Sequence, residues 1–105
     1  MYSPSEIYGL LMDQDPYLLL NCDATNIEFT KGSPKHLNGL MFHCCGKRFT
    51  GWIHVLSNDS IDINGFTIAN NGKYQSRFLV GPVPHNDLAR ELDELINGNS
   101  MREPV

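Results

Sequence analysis

The alternation of apolar and polar residues from Leu40 to Leu56, LMFHCCGKRFTGWIHVL, limits the possible folds of this chain more than any other stretch. Side chains on a strand point alternately to opposite faces, so the run reads as a β-hairpin with two chemically different sides. A two-residue turn at Gly46-Lys47 sets Cys45 opposite Arg48, Cys44 opposite Phe49 and His43 opposite Thr50. One face then collects Leu40, Phe42, Cys44, Phe49, Gly51, Ile53 and Val55, the composition of a core. The other collects Met41, His43, Cys45, Arg48, Thr50, Trp52, His54 and Leu56, and a function carried by this sheet would lie there.

The flanking sequence supplies further elements. Ser3, Pro4 and Glu6 form the Ser-x-x-Glu start of a helix, with proline at the first helical position and Ile7, Leu10 and Leu11 on one side. Asp15-Pro16 closes it, because a residue before proline is pushed out of the α region. Tyr17–Cys22 (YLLLNC) reads as a short apolar strand, 23–26 as a turn, and Ile27–Thr30 as a short return strand. Residues 31–39 read as a loop.

Beyond the hairpin, 58–60 turns the chain into the alternating run Ile61-Asp62-Ile63. A three-residue loop puts both isoleucines on the face of Ile53 and Val55. A two-residue loop would align them with His54 and Leu56, so the three-residue loop is the expectation. Two Asn-Gly dipeptides follow. Asn64-Gly65 reads as a bulge and Asn71-Gly72 as the turn into a strand over 73–80, with Gly81-Pro-Val-Pro84 ending the sheet. A final helix is capped by Asn86, carries Leu88, Leu92, Leu95 and Ile96 as its apolar stripe, and stops at Gly98. Its other side carries Asp87, Glu91, Asp93 and Glu94, with Arg90 among them.

These elements predict one α+β domain over residues 1–105, with 99–105 as a loose tail. The architecture is a largely antiparallel sheet of four to six strands, with an N-terminal and a C-terminal helix packed on one face. A chain of 105 residues is long enough for one core without metal or disulfide staples.

Charge and cysteine usage narrow the function. Eight basic residues against twelve acidic give a formal charge of −4, which disfavours nucleic-acid binding through a basic stripe. No apolar run approaches the ~18 residues of a membrane span, and the N-terminus lacks the pattern of a signal peptide. Three cysteines, two of them adjacent and facing opposite ways on a strand, do not make a secreted disulfide framework; a reducing cytoplasm fits them.

Catalytic and metal chemistry find little support. His43 and Cys45 share a face, but the predicted register puts His54 opposite Gly39, ~13 Å from the partner of His43. No Cys-x-x-Cys or His-x-x-x-His spacing occurs, so no metal and no cofactor is expected. Cys45, with Arg48 across and His43 nearby, has the surroundings of an activated thiol. Asn38, Asp62 and Asn64 are candidates to orient it, and the spacing selects none of them. Gly46-Lys47 follows a strand but opens no helix, so it is no phosphate loop. The acidic residues beside Pro, Gly and Asn are explained as turn-makers.

What remains is recognition. The expected binding residues for a protein partner are Met41, His43, Arg48, Thr50, Trp52 and His54, residue types suited to an interface. The partner is a different protein or a second copy in a homodimer, with no nucleic acid and no membrane. Size, mild acidity and the lack of assembled catalytic groups fit small accessory proteins: immunity proteins, antitoxins, and inhibitors encoded by phages or mobile elements. The rival expectation is a small enzyme or ligand-binding domain with a pocket around His43, Cys45, Arg48 and Trp52.

Overall fold

The computed structural model describes residues 2–30, 38–57 and 60–98. Residues 31–37 of the expected 31–39 loop, residues 58 and 59 of the turn, and the tail at 99–105 lie outside them, while Asn38 and Gly39, expected in that loop, belong to the second strand. Five strands form one antiparallel sheet in chain order: β1 (Thr25–Thr30), β2 (Asn38–Cys45), β3 (Thr50–Ser57), β4 (Ile61–Ile68) and β5 (Tyr74–Val83). Helix α1 (Pro4–Gln14) precedes the sheet and α3 (Leu88–Asn97) follows it, so the fold is α+β as the sequence predicts.

Both helices pack on one side. Ile7 and Leu11 of α1, and Leu88, Ala89, Leu92 and Ile96 of α3, join Leu40, Phe42, Cys44, Ile53, Val55, Ile61, Ile63 and Val83 in a single core. The capping box of α1 is complete: the Ser3 hydroxyl accepts from the Glu6 N–H at 3.2 Å, and Glu6 accepts from the Ser3 N–H at 2.8 Å. Gly98 ends α3 at φ 71°, in the left-handed conformation that favours glycine.

The start of α3 differs from expectation. A 3-10 turn over His85–Asp87 leads in, Asp87 rather than Asn86 occupies the cap position, and its side chain makes no capping bond. Gln14 takes that role from the end of α1. Its Oε1 accepts from the Ala89 N–H at 2.9 Å, while its Nε2 donates to the His85 carbonyl. The two helices are thus stitched together by one side chain.

The run Tyr17–Cys22 is not a strand. Leu18–Asn21 forms a single helical turn, α2, with Leu18, Leu19 and Cys22 buried and Tyr17, Leu20 and Asn21 exposed. That spacing is helical, whereas a strand would bury every second residue. The Asp15 carboxylate accepts from the Tyr17 N–H at 3.1 Å and starts the turn. The first strand then begins at Thr25, within the expected turn.

Asn64-Gly65 is not a bulge either. Strand β4 runs unbroken from Ile61 to Ile68. Gly65 faces Phe78, and a Cβ there would sit 2.9 Å from Cε2 of that ring and closer to two other ring atoms. Glycine is present to seat the ring. The irregularities fall on the two edge strands. One extra residue enters β1 between Thr25 and Glu28, one enters β5 at Gln75, and one enters β5 between Val80 and Val83. The last lets Val80 and Val83 both face the core side, opposite Ile63 and Ile61.

The Asn71-Gly72 turn forms as predicted, with Gly72 at φ 83°, and β5 continues through Gly81 and Pro82 to Val83. The β3–β4 pairing sets Ser57 opposite Ile61 and Ile63 opposite Val55, the register of a three-residue loop.

Candidate functional site

The face opposite the helices is built by the even residues of β3 and β4 and their cross-strand partners. In the β2–β3 ladder Cys45 pairs with Thr50, His43 with Trp52, Met41 with His54 and Gly39 with Leu56. The connection therefore spans residues 46–49, not a two-residue turn. Its docking on α3 explains the extra length. The N–H groups of Arg48 and Phe49 both donate to the Ile96 carbonyl, at 2.9 and 3.0 Å, and Gly46 packs directly against Ile96.

The register shift is two residues, so every strand residue keeps its predicted face. Met41, His43, Thr50, Trp52 and His54 share the outer face. Arg48 does not: it lies in the connecting loop with its side chain beside Gly98, at the end of α3. Cys45 is exposed and faces Thr50, not Arg48. The proposed pocket of His43, Cys45, Arg48 and Trp52 is therefore not assembled, and the thiol loses the guanidinium expected across from it.

Trp52 stands at the middle of a row of rings that crosses four strands. The His43 ring lies edge-on to it at 5.1 Å, and Phe66 of β4 lies nearly parallel at 6.5 Å. Tyr74 of β5 meets Phe66 edge-on at 5.2 Å, and the Arg77 guanidinium sits 5.1 Å from the Tyr74 ring centre. Such contacts favour one arrangement of the rings by about 0.5–1.5 kcal/mol each beyond the area they bury. The bulge at Gln75 brings Tyr74 and Arg77, three residues apart, onto the same face.

The row makes a second, smaller apolar layer. Phe66 is 9% exposed yet belongs to no part of the main core; its neighbours on the outer face bury it. Around it Ile68, Tyr74 and Leu79 are 48%, 61% and 68% exposed. Their register partners place all three on this face: Leu79 opposite Asn64, and Tyr74 opposite Ile68. Sequence reasoning missed Phe66, Ile68, Tyr74, Arg77 and Leu79. Counting in steps of two from Asp62 through Asn64 reaches Phe66 and Ile68, but a bulge at Asn64-Gly65 would have turned them to the other side.

His54 anchors the β1 side. Its Nε2 is 2.8 Å from the Thr30 hydroxyl, and its ring lies over Gly39, where a Cβ would come within 2.8 Å of the same nitrogen. Burial holds its pKa below the ordinary value of 6.5. The histidine thus ties β3 to β1 across the strand between them.

The thiols behave differently from one another. Cys22 and Cys44 are buried, and desolvation pushes their pKa values up to about 11 and about 12. Neither is an available nucleophile at neutral pH. Among the described residues no three His, Cys, Asp or Glu side chains group to hold a metal ion, and no helix is long and apolar enough to cross a membrane. A cleft of about 370 Å³ on the helix side, lined by Gln14, Asp15, Asn86, Ala89, Arg90 and Asp93, shares no residue with the outer face. Comparison with protein-family models, with curated proteins and with solved structures finds no match to this chain.

Proposed function

We propose that this protein works by binding another protein through the outer face of its sheet, with Trp52 at the centre and Ile68, Tyr74 and Leu79 on the β4–β5 side. The observation that carries the reading is the aromatic row, which crosses four strands on the side opposite the helices. Isolated exposed apolar residues need no explanation, but a contiguous patch of this kind marks an interaction surface. Its Trp, Tyr, Met and Arg are the residue types that dominate interface energetics. The formal charge of −4 disfavours a polyanion as the occupant of this face. This is the accessory-protein reading, in the manner of an immunity protein, an antitoxin or a mobile-element inhibitor. A reducing cytoplasm is the compartment it implies, since all three cysteines are free.

The test is capture of partners on immobilised protein. Trp52→Ala, Tyr74→Ala and Leu79→Ser lose capture while keeping a cooperative unfolding transition. Leu20→Ser removes an equally exposed leucine, 73% accessible on α2, and retains it. Equal capture by all four variants refutes the reading.

A further inference from the structure

We infer that the occupant of the outer face is a second copy of this chain, the two sheets packing face to face about a two-fold axis that runs along β3. The inference rests on the reading of this face as a binding surface and adds the identity of the partner.

Three observations carry it. The first is that the sheet edges are poorly suited to association. Both edge strands are broken by extra residues, one in β1 and two in β5, and β5 also contains Pro82. Bulges and proline are the devices that prevent edge-to-edge pairing. Association through the sheet is thereby directed to its face.

The second is that the face is self-complementary under this symmetry. A two-fold axis along β3 lays β5 of one copy over β1 of the other. On this face β5 carries the large side chains Tyr74, Arg77 and Leu79, while β1 presents Thr25, Glu28 and Thr30. Arg77 of one copy thus lies over the short Thr25 of the other and Leu79 over Glu28, while Tyr74 projects one row beyond Thr25. Arg77 shares a cross-strand row with Phe66, Trp52, His43 and Thr25; Glu28 lies on the adjacent row, with Met41, His54, Asn64 and Leu79. Adjacent rows are about 7 Å apart, within reach of an arginine side chain. The operation therefore forms two equivalent Arg77–Glu28 pairs, as an isologous interface requires. The tryptophans come together at the axis.

The third is area. Five strands spaced about 4.8 Å apart, with about seven residues of each at 3.4 Å per residue, present on the order of 570 Å² per copy. The total clears the ~1,000 Å² needed for a specific contact and stays below the ~1,600 Å² of a standard interface. A reversible dimer with micromolar dissociation is the matching expectation. Packed sheets sit about 10 Å apart, a spacing that interleaved rings can fill.

The experiment is sedimentation velocity on the whole chain from about 1 to about 500 μM, a range bracketing micromolar dissociation. Emission of Trp52, the single tryptophan, is followed over the same range. The expected result is conversion from monomer to dimer with a concentration-dependent blue shift. Tyr74→Ala abolishes the dimer. Arg77→Glu and Glu28→Arg each weaken it about tenfold, equivalent to ~1.4 kcal/mol, and the double variant restores it. A chain that stays monomeric throughout, or a dimer unmoved by Tyr74→Ala and by either charge reversal, overturns the inference. A monomer that still captures a different protein through Trp52 and Tyr74 overturns this inference alone and leaves the proposed function standing.

Discussion

Gly46→Ala tests how the long hairpin is held. A Cβ at this position would lie 2.8 Å from the Ile96 carbonyl carbon and closer still to the carbonyl oxygen and Cγ2. Two of these obstacles are backbone atoms of a helix whose buried residues pack throughout the core, so the loop must give way. Overpacking of this kind costs about 1–3 kcal/mol. Lifting the loop also strains the two bonds that the Arg48 and Phe49 N–H groups donate to Ile96, each worth about 1 kcal/mol. Against this, alanine restricts the unfolded chain and returns about 0.4–1 kcal/mol. The balance is a destabilisation of about 2–3 kcal/mol, a large fraction of the ~5–15 kcal/mol that holds a domain of this size together. Urea unfolding followed by circular dichroism measures it as a lower midpoint with an unchanged slope. Lys47→Ala, at an exposed neighbour in the same loop, is the control and stays within about 0.5 kcal/mol of the parent. If Gly46→Ala matches Lys47→Ala, the docking of the loop on α3 does not set the hairpin and the reasoning fails.

Three further outcomes follow from the same contacts. Gln14→Ala removes the only side chain described as capping α3 and costs about 1–2 kcal/mol in the same denaturation assay, with Gln14→Glu recovering the bond to the Ala89 N–H but not the one to His85. His54 has a folded-state pKa below 6.5, so the unfolded chain binds the extra proton first; stability is full above about pH 6.5 and declines as pH falls through the folded-state pKa. His54→Gln flattens that part of a pH–stability profile, and an unchanged profile would remove the histidine from the account. Under native conditions a thiol reagent titrates Cys45 rapidly, while Cys22 and Cys44 react only on unfolding; three equally fast thiols would contradict the burial.

The hairpin shows why part of this fold was legible in the sequence. Its register is displaced by two residues from the expected one, yet parity is conserved, so Phe42, Cys44, Ile53 and Val55 are core and Met41, His43, Trp52 and His54 are not. The displacement itself comes from Ile96, some fifty residues away in sequence, and no local pattern encodes it. Ser3-Pro4-x-Glu6 is legible because a capping box is satisfied within four residues. The run at 17–22 misleads because three consecutive leucines carry no period, and only burial against the core separates a helical turn from a strand. Gly65 misleads for another reason. Asn-Gly is a turn signal in isolation, while here the glycine answers to a phenylalanine thirteen residues ahead. That single misreading hid the outer half of the aromatic row.

The meander order of the strands bears on how the chain folds. Each strand pairs with its sequence neighbour, so the sheet grows from contacts of short sequence separation, which favours rapid folding. Helix α3 follows all five strands in the chain, yet it covers the core side with Leu88, Leu92 and Ile96 and holds the 46–49 loop. During synthesis the sheet therefore passes through a stage with apolar side chains open on both of its faces. Newly made chains are most prone to stick together in that interval, and the docking of α3 brings it to an end.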